Sequence, residues 1–499
     1  MNISLILQMA ADADPERIGL VCDGERWSYR AIQRAAHGAA ANIADIGCSH
    51  IALLDESSEA APIALFGAAL AGIPYVPLNY RLADTDLAAL LQRIAPAYIV
   101  GDVERAKRLA PEGGHTFCSR KDFVAAAEAA ADTASGEERE GEGIAAQIFT
   151  SGTTAAPKAA LLRHSNLLGY ILGTVEFCSA TEDDAQLVCV PPYHIAGISA
   201  LLSSFYALRR IVLLPAFDPD DWLQLASAER VTNAFVVPTM LARIIERIDE
   251  GVQADLSALR AIAYGGGRMP PELIDRALDL FPETNFTNAY GLTETSSTIA
   301  LLGPEEHRSA HNSSDPAVRA RLGSVGRPLP TVELEIRDEE GKSLPAGECG
   351  EVYVRGEQVS GEYRGKSALD AEGWFPTRDA GWLDSEGYLF LAGRADDVIV
   401  RGGENISPGE IEEVLMSHPA IAEAVAVGVP STEWGEAVAI AIVIRPGCDR
   451  PDDTTLRTLI KDRLRSSRVP ERIAVLDEMP YNEMGKLLRR QVRAHFQDN

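Results

Sequence analysis

Through the middle of the chain, short apolar runs alternate with longer segments whose apolar positions recur at helical spacing. The runs "AAQIF" (145–149), "LVCV" (187–190), "RIVLL" (210–214), "NAFVV" (233–237) and "LRAIAY" (259–264) read as buried strands. Between them, "SNLLGYILGTVEFC" reads as a helix with Ser165 as N-cap, and "DPDDWLQLASAE" and "PPELIDRALDLF" as two more. This alternation predicts a mostly parallel sheet with helices on both faces. In such sheets ligands bind at the loops that follow strand C-termini.

After about residue 323 the pattern changes. "TVELEIRDEEGKSLPAGECGEVYVRG" alternates and carries turn signals, as antiparallel strands do, and "DSEGYLFLAGR" is a further strand. From Asp396 a compact α+β pattern follows, in which Ser407, Pro408 and Glu410 spell a helix start: cap, N1 proline, N3 glutamate. The expected fold class is therefore α/β: a large N-terminal domain of parallel α/β sheets plus a β-rich subdomain (1–395), and a small α+β C-terminal domain (396–499). The acidic stretch at 130–143 reads as a solvated connector.

Charge narrows the partners. The chain has 73 acidic against 46 basic residues, a formal net charge of −27. That argues against nucleic acid or an acidic membrane surface as the main partner. A small anionic substrate remains compatible, because local donors outweigh a distant field. No run of 18 apolar residues occurs, and the start "MNISLILQMAADADPERIG" has neither a basic flank nor a small-residue cleavage site. The seven cysteines are odd in number and contain no C-x-x-C pair. They read as free thiols in a reducing compartment, and the expected location is cytoplasmic.

Candidate chemistry begins at "TSGTTAAPKAALLRHSN" (150–166). Thr150, Ser151, Gly152, Thr153, Thr154 and Lys158 form a hydroxyl-rich loop with one lysine. It is not a Walker loop, since Gly152 precedes Lys158 by six positions and Ala159 follows the lysine. Read as strand–loop–helix, it offers backbone N–H groups, hydroxyls, an ammonium and a helix N-terminus to phosphate. Taken alone, its less favoured alternative is a polar surface turn. In "NAYGLTET", Tyr290 can stack on a base, Thr293 can donate to phosphate, and Glu294 can hold Mg²⁺. Asp379 can accept both ribose hydroxyls, Arg394 lies nearby in sequence, and Lys486 sits in a glycine-containing turn.

In order along nearly the whole chain stand "TSGTTAAPKA", "PPYHIAG", "YGGG", "YGLTET", "TRDAGW", "GRADDVIVRGGENISPGEIE" and "GKLLRR". This series resembles the adenylate-forming superfamily, nearest in texture to bacterial benzoate-type aryl-CoA ligases. The resemblance implies ATP, Mg²⁺ and CoA as cofactors, a small carboxylic acid as substrate, and a two-step reaction through acyl-AMP. It implies that Lys486 bridges the carboxylate and the α-phosphate. It places Glu294 on Mg²⁺ and residues 150–154 with Lys158 around pyrophosphate. Gly265, Gly266, Gly267, Ala289, Tyr290 and Gly291 would frame the adenine, with Asp379 and Arg394 on the ribose. A mobile C-terminal domain would turn about Asp396 and present Gly402, Gly403 and Glu404, with Trp434, to pantetheine. His194 would contact the acid's carboxylate. Ile195, Ala196, Phe235, Tyr264, Ser296, Ser297 and Ile299 would line the acyl pocket.

Two departures from the family pattern matter, and one agreement with it. Ala155 and Ala159 stand where glycine is usual, which implies a stiffer loop. Val469 and Glu471 flank Pro470, where CoA ligases often carry basic residues. No acidic residue replaces His194, which disfavours α-amino acids. The expected activity is an acid:CoA ligase for an aromatic or medium-length acid. Loading of a carrier-protein phosphopantetheine is the alternative, and a nucleotide-binding relic a distant third. A monomer or homodimer without integral membrane association is expected.

Overall fold

The computed structural model describes residues 1–112, 114–131, 143–150, 157–394, 397–401, 404–431, 434–481 and 487–496. Two compact units emerge. The first takes in Met1–Gly323, Arg327–Glu333 and Arg355–Phe375; the second Ser324–Gly326, Leu334–Val354 and Pro376–Asn499. The boundary expected at 395/396 falls on Ala395 and Asp396, outside the described residues.

The first unit holds two large sheets. One has nine strands, in the order Arg327–Pro328, Ser297–Leu302, Asn285–Leu292, Ala261–Gly265, Asn233–Val236, Ala185–Val188, Arg210–Leu213, Ile18–Cys22 and Glu25–Ser28. From Asn285–Leu292 to Ile18–Cys22 the pairing is parallel, and the edges are antiparallel. Helices cover both faces, so the inner strands are buried twice and read as short apolar runs. The second sheet has eight strands. Ile144–Thr150 is parallel to Tyr75–Pro77 on one side and antiparallel to Lys158–Arg163 on the other. A shared core includes Phe66, Phe205, Leu162 and Ile198, all almost fully buried.

The helices differ from expectation in their starts. The helix expected to be capped by Ser165 runs His164–Thr174, and Asn166 Oδ1 accepts the Arg163 N–H at 3.0 Å. The cap is therefore set two residues earlier, by an asparagine within the first turn. Pro219–Ala228 does begin on an aspartate cap, since Asp218 accepts the N–H groups of Asp220 and Asp221.

The second unit contains a four-stranded sheet, Glu333–Arg337, Gly350–Arg355, Phe375–Leu383 and Leu389–Arg394. It also holds the C-terminal sheet built on the long antiparallel pair Ile421–Ser431 and Gly435–Ile444. Helices Pro408–Met416 and Asp453–Arg463 contribute to the core on one face of that pair, and Val492 and Phe496 to the core on the other. Ser407 is the N-cap residue of Pro408–Met416, but its hydroxyl donates to Ala392 O at 2.8 Å instead of capping the helix. Glu410 is likewise diverted, accepting Arg468 Nε at 2.7 Å. The cap signature marks the right start, while its side chains tie the helix to neighbouring segments.

Candidate functional site

In the first unit the hydroxyl-rich loop joins two strands, not a strand and a helix. Ile144–Thr150 and Lys158–Arg163 pair antiparallel, with Thr150 opposite Lys158 and Phe149 opposite Ala159. Ser151, Gly152, Thr153, Thr154 and Ala155 lie outside the described residues. The helix expected to point at the loop starts only at His164, beyond the second strand. The run "KAALLR" is the reason: its alanines and leucines are buried in the sheet. Ala159 is thus a strand residue, 2 % exposed, packed in the sheet at a negative φ. A methyl there strains nothing and removes freedom only from the unfolded chain.

Lys158 is exposed, with Nζ 5.7 Å from the centroid of the Tyr363 ring. Tyr363 pairs with Ala160 on the same strand, and its hydroxyl donates to Glu294 Oε1 at 2.7 Å. The Glu294 carbonyl accepts the N–H groups of Ser360 (2.8 Å) and Gly361 (3.2 Å). Lys158, Tyr363 and Glu294 are therefore one cluster, with the carboxylate fixed at both side chain and backbone. Tyr363 carries no motif signal and is absent from the sequence-based set.

Strand Ala261–Gly265 sets Gly265 beside Ala289 on Asn285–Leu292. A Cβ at Gly265 would strike the Ala289 carbonyl, and one at Gly291 would strike that of Ser297. Gly266 has φ +76°. Gly265 and Gly291 thus allow neighbouring backbones to approach closely, and Gly266 supplies a left-handed turn. Thr293–Thr295 makes one 3₁₀ turn, followed by Ser296 (φ 57°) and Ser297 (φ 122°). Two successive non-glycine residues in that region cost free energy that the surroundings must supply.

His194 is the N-cap residue of helix Ile195–Ala207, its ring 4.4 Å from that of Tyr193. Its Nε2 is shielded from solvent and has no partner among the described residues. Burial, aided by the charge of Arg81, pushes its pKa down to about 4. Ile195 and Ala196 open that helix, and Ser199, one turn on, has its Oγ within hydrogen-bond distance of Ser297 Oγ, at 3.2 Å. Ser199 was not among the sequence-based candidates. Ile299 is fully buried on the same strand as Ser297.

Phe235 lies opposite Ala263, on the face that packs toward the shared core, with its Cζ 3.6 Å from a Cβ built at Gly265. Tyr264, expected in the acyl pocket, is elsewhere. It lies opposite Val236 and points into the core on the other side of the sheet. There its hydroxyl meets His307 Nε2 at 2.8 Å, while His307 Nδ1 meets the Gly303 carbonyl at 2.7 Å. The carbonyl can only accept, so Nδ1 carries the proton and Tyr264 donates to Nε2. Strand period two separates Phe235 from Tyr264 once the register is known.

In the second unit Asp379 and Arg394 face each other across antiparallel strands, with NH1 to Oδ1 at 3.2 Å. Asp379 is buried; its N–H donates to Thr377 Oγ1, and Arg394 donates to Thr377 O. Arg378, just before it, has φ 62°. Further on, Arg401 pairs with Glu404 across a hairpin whose Gly402 and Gly403 lie outside the described residues. Its guanidinium is 5.5 Å from the centroid of the exposed Trp434 ring and donates to Glu471 at 2.8 Å. Glu471, the acidic departure beside Pro470, is thus ion-paired. Asp396 and Lys486 lie outside the described residues.

Known proteins share this chain's sequence pattern and fold. Residues 7–364 match the AMP-binding enzyme family, and residues 410–486 its C-terminal domain. The fatty acid–[acyl-carrier-protein] ligase ScoC of Streptomyces coeruleorubidus is 32% identical, over 97% of this chain and 95% of its own. A 2-succinylbenzoate–CoA ligase of Bacillus cereus is 35% identical over 69% of each chain. The o-succinylbenzoate CoA synthetase of Bacillus subtilis, solved with its acyl-adenylate, superposes with TM-score 0.82 at 28% identity, over 98% of this chain and 97% of that one. The same synthetase with ATP and magnesium gives TM-score 0.81 at 28% identity, over 97% and 98%. On these matches the chain belongs to the AMP-binding enzyme family, as an adenylate-forming acid–thiol ligase.

Proposed function

We propose that this ligase uses ATP and Mg²⁺ to activate an aromatic or medium-length carboxylic acid and passes the acyl group to CoA. The observation that carries the reading is the Glu294–Tyr363–Lys158 cluster at the foot of the hydroxyl-rich loop. A fixed carboxylate and an ammonium on one scaffold suit a magnesium triphosphate, because Mg²⁺ takes one or two protein oxygens and completes its shell from phosphate and water. Bound there, Mg²⁺ would neutralise charge on the departing pyrophosphate.

The substrate carboxylate attacks the α-phosphorus, the bond to pyrophosphate breaks, and acyl-AMP forms. Lys158 and the hydroxyls at 150, 151, 153 and 154 hold the leaving group. Gly265–Gly267, Ala289, Tyr290 and Gly291 receive the adenine, and Asp379 with Arg394 the ribose. Lys486 bridges the two anions. His194, neutral at pH 7, positions the carboxylate and is no base, since the acid is already ionised. A turn of residues 396–499 about Asp396 then brings Gly402–Glu404 and Trp434 to the thiol, which attacks the acyl carbon and releases AMP.

A second reading, transfer to a carrier-protein thiol, is supported by the near full-length likeness to a fatty acid–[acyl-carrier-protein] ligase. Either way we place the enzyme in the cytoplasm, as monomer or homodimer; among the described residues no helix is long and apolar enough to cross a membrane. One incubation tests the assignment: enzyme, ATP, Mg²⁺, CoA and a panel of benzoates, cinnamates, cyclic acids and C4–C12 fatty acids, read by mass spectrometry. A CoA thioester supports the ligase. Acyl-AMP without thioester points to the carrier protein. Neither product counts against both.

A further inference from the structure

Helix Ile195–Ala207 and strand Ser297–Leu302 are linked by a side-chain bond between two hydroxyls, Ser199 Oγ and Ser297 Oγ, at 3.2 Å. Ser199 Oγ also lies 3.2 Å from the Ala196 carbonyl. One hydroxyl has one proton, so the pair has two settings. With Ser199 donating to Ala196 O, Ser297 donates to Ser199 and keeps lone pairs open to a donor. With Ser199 donating to Ser297, the Ser297 proton is open to an acceptor. The pair can therefore meet either a hydroxyl or a carbonyl.

Two other polar atoms at this corner lack partners among the described residues. They are Ser296 Oγ, in a residue that is 0% exposed, and His194 Nε2. A buried hydroxyl or imidazole without a hydrogen bond is costly, so native proteins leave few of them. The backbone adds to the cost. Ser296 and Ser297 hold φ of 57° and 122°, where glycine would be relaxed. Side chains have thus been kept at two positions that glycine would suit better. A substituent on the bound acid that forms hydrogen bonds would offset both costs. None of His194, Ile195, Ala196, Ser199, Ser296 and Ser297 carries charge at neutral pH; the cation acting on His194 is the exposed Arg81.

We propose that the acid carries an uncharged hydroxyl or keto substituent, held by Ser297, and that Ser199 sets the orientation of the Ser297 hydroxyl and so determines specificity. The inference rests on the ligase reading above.

The test measures kcat/KM by pyrophosphate release on matched acids: benzoate against its three hydroxybenzoates, hexanoate against 3-hydroxy- and 3-oxohexanoate, with adipate for a second charge. The expected result is that a hydroxy or oxo acid exceeds its parent by about ten-fold or more. Ser297→Ala should bring that ratio toward one. Ser199→Ala should shift it in the same direction by less, and Ser199→Thr, which keeps the hydroxyl, should restore it. Thermal unfolding of each variant separates lost selectivity from lost fold. Turnover of parent acids as good as every substituted partner, preference for adipate, or a ratio that survives Ser297→Ala would each overturn the proposal while leaving the ligase reading standing. No pyrophosphate from any acid would overturn both.

Discussion

Tyr363 donates its phenolic proton to Glu294 across 69 residues of chain, at 2.7 Å. The same tyrosine is held by the strand that begins with Lys158. The ring therefore couples the position of the carboxylate to the base of the hydroxyl-rich loop. Tyr363→Phe keeps the ring and loses the bond. KM for magnesium ATP should rise about five- to ten-fold with a smaller change in kcat. Glu294→Gln should lower adenylation by about a hundred-fold or more. Pyrophosphate exchange titrated with Mg²⁺ checks both; an unaltered Mg²⁺ dependence in Tyr363→Phe would remove Glu294 from the metal's reach.

Three glycines near the proposed adenine site should respond unequally. A methyl at Gly265 or Gly291 would collide with backbone carbonyls, which have no rotamer to escape into. A methyl at Gly267 meets nothing nearer than 3.8 Å, the Pro238 ring. Gly265→Ala and Gly291→Ala should lose about 2 kcal/mol or more of stability together with nucleotide binding. Gly267→Ala should stay near wild type in thermal unfolding and in ATP binding by calorimetry. Equal behaviour of all three would contradict the close-approach argument.

Acid should destabilise the fold through its buried histidines: His194, already described, and two others. Burial lowers the pKa of both His164 and His307 to about 4. The unfolded chain takes up these protons near pH 6.5, while the folded chain resists until about pH 4. Folding stability is therefore intact above pH 6.5 and falls as pH drops toward 4, by up to about 1.4 kcal/mol per pH unit for each histidine. His307→Gln should remove one histidine's share of that slope. Urea midpoints between pH 7 and 5 give the answer, and an unchanged slope would mean that His307 titrates normally.

Under the proposed roles, the two half-reactions should separate at Lys486. Lys486→Ala should cripple acyl-AMP formation by at least about a hundred-fold, yet spare thioester formation from supplied acyl-AMP. Equal loss in both would argue against a C-terminal domain that presents different groups at different steps.

Much of this was legible from pattern. The five middle strands announce themselves because short apolar runs bounded by turns suit doubly buried strands. The motif residues could be named for the same reason that they are compact: Tyr290 to Glu294 occupy a single strand end and turn. What was missed depends on register. "KAALLR" is too short to separate strand from helix by periodicity, so its pattern alone lets the loop lead into a helix. Tyr264 and Phe235 both read as apolar strand residues, and only the pairing of Tyr264 with Val236 shows that they face opposite ways. Tyr363 and Ser199 act on partners 69 and 98 residues away, a distance over which local pattern carries no information.

The hairpin also bears on how easily such a site can be lost. A phosphate loop that feeds a helix draws on backbone dipoles, which no single codon change can erase. Here the chain turns back into a strand that begins with Lys158, and the Arg93 guanidinium donates to the Pro157 carbonyl just before it. If Lys158 serves the triphosphate as proposed, one substitution, or one acyl group on its amine, would weaken nucleotide use while the sheet stayed whole. A lineage could keep the scaffold while its hold on nucleotide slackened, so residues 93 and 158 are positions to read together when sorting working ligases from their inactive descendants.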